Sequence, residues 1–321
     1  MKVTAKGYVN VFLILIVLLA VGGAVFLLNS QQSNSIDPNI TPSNNQDRIP
    51  SASPSATPTA TPSAKPTASA SATPKPTPTP SPQAPVSNTP PGSGYAVQNV
   101  SVEGKTFKVA IIAADLNSTK VIVDTASDSD CSKDCPVLSL GDYVGRNGAW
   151  AGINGGYFCP ADYPSCADKK NSFDTLAMNK NKQYFNSDNN VYSTIPAAIF
   201  TPGGYRFVGQ TSEWGRDTGV DAVLANYPLL VRGGNINFTE APNEAKFGGA
   251  ASRTFIAAKG NMVYIGIVYG ASMGESAKVL HALGMGEALN LDQGGSTALW
   301  YGGYKAGPGR SIPNAILFVN R

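Results

Sequence analysis

Leu289-Asn290-Leu291-Asp292-Gln293-Gly294-Gly295-Ser296-Thr297-Ala298-Leu299 decides how this chain is to be read. Ala288 to Leu291 is a short apolar run and reads as a buried strand. It ends in a carboxylate, Asp292. Two glycines follow, then a hydroxyl pair, then a second apolar run from Ala298 to Tyr301. Glycine lets a backbone take positive φ and lets a ligand approach bare N–H groups. Taken alone, such a motif reads more readily as a β-turn with a solvated aspartate, because short motifs recur by chance. The flanking chain carries the decision.

Upstream, the Gly270-Ala271-Ser272-Met273-Gly274 stretch opens a helix. Ser272 and Glu275 make a capping box, the helix runs from Met273 to Leu283, and Gly284 ends it. The same five residues match the G-x-S-x-G pattern of a nucleophile elbow. The single histidine, His281, lies nine residues further along the helix, a rise of about 13.5 Å, too far to activate Ser272. Ser272 is therefore read as a cap. Ala149 to Asn154 repeats the opening pattern: a short strand, a polar end residue, then Gly155-Gly156-Tyr157-Phe158. Further strands are expected at Val100–Val102, Phe107–Ala113, Val121–Val123, Thr254–Ala257, Met262–Val268 and Ile312–Val319. A short helix is expected over Leu138–Gly148, a hairpin-like segment over Tyr184–Phe207, and one strand over Ala222–Val231. Many strands with few helices predict an α+β, mixed-sheet single domain over residues 95–321.

What precedes that domain has a different character. Residues 1–10 are short and polar, with Lys2 and Lys6 as their charges. Val11 to Leu28 is an uninterrupted apolar or glycine run of 18 residues, about 27 Å as a helix against a hydrocarbon thickness of ~30 Å. Its length and the preceding lysines favour an uncleaved transmembrane signal anchor over a cleaved signal peptide, with the rest of the chain outside the cytoplasm. Residues 29–94 hold most of the chain's 24 prolines and no aromatic residue. Such a Pro/Thr/Ser/Ala segment cannot bury enough apolar surface to offset ordering entropy, and is expected to be a disordered stalk. Extended, it would reach about 200 Å. The expected location is a single-pass protein of the cell membrane with its C-terminal domain extracytoplasmic.

The net charge of +3 resides in the anchor and stalk, and the domain itself is balanced. Nucleic acid is therefore not an expected partner. The four cysteines, Cys131, Cys135, Cys159 and Cys166, are even in number in an oxidising setting, which favours disulfides. Local pairs Cys131–Cys135 and Cys159–Cys166 would each close a small polar loop. The C-x3-C and C-x6-C spacings fit common zinc modules poorly.

Four stretches, in order, resemble the phosphodiester glycosidase family across roughly the whole domain. They are Ile153-Asn154-Gly155-Gly156-Tyr157-Phe158, then Arg253-Thr254, then the Ser272–Leu283 helix leading into Ala288–Ser296, and finally Arg310-Ser311-Ile312-Pro313-Asn314-Ala315. The family's loop reads D-G-G-G-S; here Gln293 replaces the first glycine. The resemblance implies hydrolysis of the bond between a sugar's anomeric carbon and a phosphate, in a cell-surface or exopolysaccharide substrate. Asp292 then serves as the carboxylate at the anomeric carbon. Arg253 offers a bidentate fork to phosphate. Gly155, Gly156, Gly294 and Gly295 offer backbone N–H groups to the same anion. Asn154 and Ser296 position the sugar or the leaving phosphate, and Tyr157, Thr297 and Asn314 complete the substrate-binding set. Glu287 is the remaining candidate for a second acid. No cofactor is called for; a divalent ion would have to rely on Asp292 and carbonyl oxygens. The partners implied are a carbohydrate or sugar-phosphate polymer, and the membrane through the N-terminal helix. A non-catalytic glycan-binding module on the same stalk, or a transferase passing the glycosyl group to a polymer, would use the same residues.

Overall fold

The opening stretch turns out to be a crossover between two sheets. In the computed structural model, which describes residues 85–216, 219–239 and 245–321, strand Glu287–Asn290 lies inside a seven-stranded sheet, between Ala251–Lys259 and Leu229–Arg232. Strand Leu299–Tyr301 belongs to a different, five-stranded sheet, where it pairs with Ala151–Asn154. The Asp292 loop spans the gap. A third sheet, also of five strands, holds Ala177–Met178, Ala197–Thr201, Gly204–Val208 and Ala222–Ala225 among its members. Every ladder between these strands is antiparallel; the isolated bridge between Val86 and Asn99 is parallel. The inner faces of the three sheets share one apolar core, with Ile112, Ile153, Leu224, Leu289 and Ile316 all buried in it.

The domain is sheet-rich, and among the described residues only two α-helices exceed one turn. Leu140–Asn147 is capped by a Ser139–Asp142 box and ended by Gly148 at φ 57°. Met273–Ala282 carries the predicted Ser272–Glu275 capping box. Gly284, at φ 71°, donates to the His281 carbonyl, and Met285 donates to that of Leu280, a Schellman end. Its buried face, including Ala277 and Leu280, packs on the seven-stranded sheet, and His281 is exposed. Ser272 is thus a cap. The predicted anchor at 11–28, and the predicted stalk of 29–94 as far as residue 84, lie outside the described residues; the last ten stalk residues lie against the domain, where the Ser87 N–H donates to the Asn99 carbonyl and Gly94 opens the first strand.

Two expectations need correction. Ala222–Val231 is not one strand. Ala222–Ala225 ends in the third sheet and Leu229–Arg232 enters the first, with Asn226-Tyr227-Pro228 between them. Pro228 has no N–H for a ladder, so the strand cannot run through it. Within 184–207, the hairpin is confined to Ala197–Thr201 and Gly204–Val208, around Gly203 at φ 80°. Tyr184–Phe185 pairs instead with Ala177–Met178.

Where the second sheet meets the helix at 140–147, Asp124 is 2% exposed. It accepts from Arg146 Nε at 2.6 Å and lies 3.4 Å from Lys180 Nζ. It also takes the Thr125 N–H. Both cations are partly exposed and can turn to water, so the stranded groups in Asp124→Ala are mainly the Thr125 amide and Asn147. The expected loss is about 2–3 kcal/mol. It should appear as a lower urea midpoint at unchanged slope; an unaltered midpoint would show that the cluster adds nothing.

Candidate active site

Four buried asparagines hold together the strand ends that surround Asp292. Asn154, Asn226 and Asn290 are 0% exposed and Asn314 is 1% exposed. An amide side chain carries both donor and acceptor, so one residue can tie two backbone segments. Asn154 Nδ2 donates to the Asp292 carbonyl at 2.6 Å, and its Oδ1 accepts from the Ala298 N–H at 3.1 Å. Asn226 accepts from the Tyr157 N–H and donates to the Asn290 carbonyl. Asn290 donates to the Tyr157 hydroxyl at 2.8 Å and to the Tyr227 carbonyl. Asn314 Oδ1 accepts from the Gly156 N–H at 2.9 Å. The backbone of Asp292 is held further: its N–H donates to the Gly155 carbonyl at 3.0 Å, and the Asp292 carbonyl accepts from Thr254 Oγ1. A carboxylate fixed in this way needs little reorganisation to act.

Above this scaffold opens a cleft of about 590 Å³. Asp292 lies at its floor, with Gln293, Gly294 and Ser296. One wall is the loop closed by the Cys159–Cys166 disulfide, including Pro160 and Tyr163; Gly249, Ala250 and Ala251 line the cleft as well. Tyr157, Arg253, Arg310, Lys169 and Asp174 complete the lining that bears on the chemistry. The second predicted disulfide, Cys131–Cys135, is also formed.

Burial pushes the Asp292 carboxyl up to about 6. Hydrogen bonds from Ser296 and the Gln293 N–H pull the other way, as does the charge of Arg310, while the charge of Asp174 adds to the rise. The group is therefore poised to change charge near neutral pH. Burial also raises the Tyr157 phenol, with the negative charge of Asp292 as the next contribution.

Several predicted residues have a different place from the one expected. Asn154 and Asn314 stand behind the loop as clamps. The amides of Gly155 and Gly156 are not turned to the cleft for an anion: they donate to the Asn314 carbonyl and side chain. A Cβ on Gly155 would lie 1.7 Å from Asn314 Oδ1, which explains the glycine. Thr297 does not line the cleft, and its Oγ1 is buried. Gly294 does line it, exposed and at φ 66°. Gly295 is a glycine because the Arg310 guanidinium lies on it: a Cβ there would be 2.3 Å from Arg310 Nη2. Glu287 accepts from the Gly233 N–H on the far side of the strand and does not line the cleft.

Arg253 is 2% exposed and committed to the protein. Its fork donates to the carbonyls of Ala271 and Phe247 at 3.0 Å, to that of Gly249, and to Gln293 Oε1 at 2.7 Å. Gln293, which departs from the family's glycine, is thus the loop residue that fastens the arginine.

Three charged cleft residues were missed in the sequence. Arg310 Nη1 donates to Asp162 at 3.0 Å and stacks over the Tyr163 ring at 5.1 Å. Its N–H donates to the Gly295 carbonyl. Lys169 and Asp174 face each other at 4.0 Å. Arg310 stood at the head of a quoted motif and was the one recoverable signal; the other two come from a loop with no pattern.

A family model described as phosphodiester glycosidase matches residues 147–319. No curated protein matches the chain. Among solved structures, the catalytic domain of zebrafish N-acetylglucosamine-1-phosphodiester alpha-N-acetylglucosaminidase, auto-inhibited by its pro-peptide, is similar at 15% identity and a TM-score of 0.55, covering 71% of this chain and 83% of that one. A hypothetical protein from Synechocystis aligns at 16% identity and a TM-score of 0.48, over 71% of this chain and 62% of that one. The zebrafish likeness is one of fold. The family model spans more than half of the chain, and the chain belongs to the phosphodiester glycosidase family: it is a hydrolase of phosphodiester-linked sugar.

Proposed function

We propose that the cleft cleaves a sugar-1-phosphodiester bond in an exopolysaccharide or other cell-surface polymer, with Asp292 as general base and Arg310 as the cation at the phosphate. The observation that carries this reading is a backbone-clamped carboxylate, raised to about 6, on the floor of a cleft that also holds Arg310. In the reaction, the bond between C1 and the phosphate oxygen breaks and its electron pair passes to that oxygen. Phosphate leaves readily once its charge is balanced, which Arg310, held over Tyr163, is placed to do. A water gives its proton to Asp292 and forms the new C1–O bond. Ser296 and the Gln293 N–H orient the carboxylate. Asp174 is the second carboxylate facing the cleft.

The base must be ionised to work. With the carboxyl raised to about 6, kcat/KM on a GlcNAc-1-phosphodiester should be full above pH 7 and fall tenfold per unit below about 6. A rate that rises toward acid instead would assign Asp292 the acid's role. Absence of turnover on such diesters and on teichoic-type polymers would sink the hydrolase reading for these substrates. The anchor at 11–28 and the stalk at 29–94 would hold this cleft outside the membrane. Protease added to intact cells should then release the domain at 95–321; a protected domain would overturn that placement.

A further inference from the structure

Arg310 is not placed by an element of its own. It lies in no helix or strand, directly after Gly307-Pro308-Gly309. An arginine side chain has many rotamers, and a charge that must balance a leaving phosphate is effective when it is held in one of them. The contacts that hold it come from two other loops. On the Asp292 loop, the Arg310 N–H donates to the Gly295 carbonyl, and the guanidinium lies close against the bare Cα of Gly295. On the wall of the cleft, Nη1 donates to Asp162 at 3.0 Å, and the guanidinium carbon sits 5.1 Å from the centre of the Tyr163 ring.

Asp162 and Tyr163 are neighbours on the loop closed by Cys159–Cys166. The base of that loop is pinned: the Cys159 N–H donates to the Ser172 carbonyl, and the Cys159 carbonyl accepts from the Asn171 N–H. Within the loop, the Tyr163 N–H donates to the Pro160 carbonyl and the Cys166 N–H to that of Tyr163. Ala161 to Ser165 are nevertheless all exposed, so this ordering adds little to the apolar core. What the ordered loop does is present two side chains to one arginine. Asp162 is 66% exposed, and water and salt screen its pair with Arg310. The half-exposed Tyr163 ring covers part of the guanidinium with an electron-rich face.

We infer that Tyr163 is a positioning residue for the reaction: presented by the disulfide loop, its ring holds the Arg310 guanidinium in the orientation that meets the phosphate. The inference rests on the role given to Arg310 above, but the hold of Tyr163 on Arg310 can be read without it.

The test uses the full chain and methyl GlcNAc-1-phosphodiester. Tyr163 is half exposed, so its replacement should leave the fold intact. Tyr163→Ala should lower kcat/KM about tenfold, through kcat, the scale of one cation–ring contact. Tyr163→Phe keeps the ring and should restore the parent's rate. In an Arg310→Gln background, Tyr163→Ala should cost nothing further. A second readout follows the charge itself. Arg310 lowers the Asp292 carboxyl and Asp174 raises it, while Tyr157, Lys169 and Arg253 line the same cleft. An Arg310 released by the ring should lower it less. The Asp292 titration, followed by NMR, should then move up in Tyr163→Ala, return in Tyr163→Phe, and ignore Tyr163→Ala in the Arg310→Gln background. Four results overturn the inference: an equal loss in that background, a Tyr163→Phe as slow as Tyr163→Ala, a loss confined to KM, or an Asp292 titration unmoved by Tyr163→Ala. Should the diester not turn over at all, the titration decides alone: a shift in Tyr163→Ala that Tyr163→Phe reverses upholds the hold on Arg310 while the hydrolase reading fails.

Discussion

Asp292→Asn should lower kcat/KM by about 10³-fold, within the 10²–10⁴ range typical of a positioned base, and should not weaken the fold at neutral pH. The two effects separate because of where the carboxyl is held. An asparagine has nearly the same shape, and the clamps on this residue act on its backbone, through Asn154, Thr254 and Gly155. The ionised carboxylate is itself unfavourable there. Its folded pKa, about 6, exceeds its ordinary value of 3.8. The stability it contributes is therefore fully present below about 3.8 and is lost as pH rises through 6. At 1.36 kcal/mol per unit, the ionised group costs up to about 3 kcal/mol above that window. The variant should thus melt at or above the parent's Tm at pH 7.5, and the gap should close toward pH 4. Retained activity within tenfold of the parent would remove Asp292 from the reaction. A variant inactive and unfolded would make it a structural residue.

Much of this site was legible in the sequence, because its decisive features are local. The Asp292 loop, its flanking strands, the capped helix before it and the two disulfides all follow from residues within about a dozen positions of one another. The break at Asn226-Tyr227-Pro228 was legible too, since a proline argues against a central strand. Other features are set by distant partners. Gly155 and Gly156 suggest open amides in sequence, yet Asn314, far along the chain, takes both. Gly295 suggests flexibility, yet it is small because Arg310 lies on it. The most instructive case is the pair of arginines. Both sit in motifs, and sequence alone suggests the more central, Arg253, for the phosphate. Both line the cleft, and only the packing distinguishes a guanidinium spent on carbonyls and Gln293 from one held over Tyr163 beside an exposed carboxylate.

The two arginines should consequently fail in opposite ways. Arg253→Met removes donors from the carbonyls of Ala271, Phe247 and Gly249, and from Gln293. Each buried acceptor left unpaired costs roughly 1–3 kcal/mol, part of it recovered where water can enter near exposed Gly249. A net loss of about 4 kcal/mol is expected, a large share of the 5–15 kcal/mol that holds a domain folded. For a domain of this size that is a fall in Tm of roughly 8–16 °C. Arg310→Gln should leave Tm within a few degrees, since its one ion pair is with exposed Asp162 and such pairs contribute about 0–1 kcal/mol. Its loss should appear in turnover, at about 10²–10³-fold in kcat/KM, the scale set by removing one preorganised charge-stabilising donor. It should also raise the pH at which activity falls off, because Arg310 lowers the Asp292 carboxyl. A stable but inactive Arg253→Met, beside a fully active Arg310→Gln, would return the phosphate to Arg253. The reverse pattern assigns Arg253 to the architecture of the loop, through Gln293, and Arg310 to the substrate.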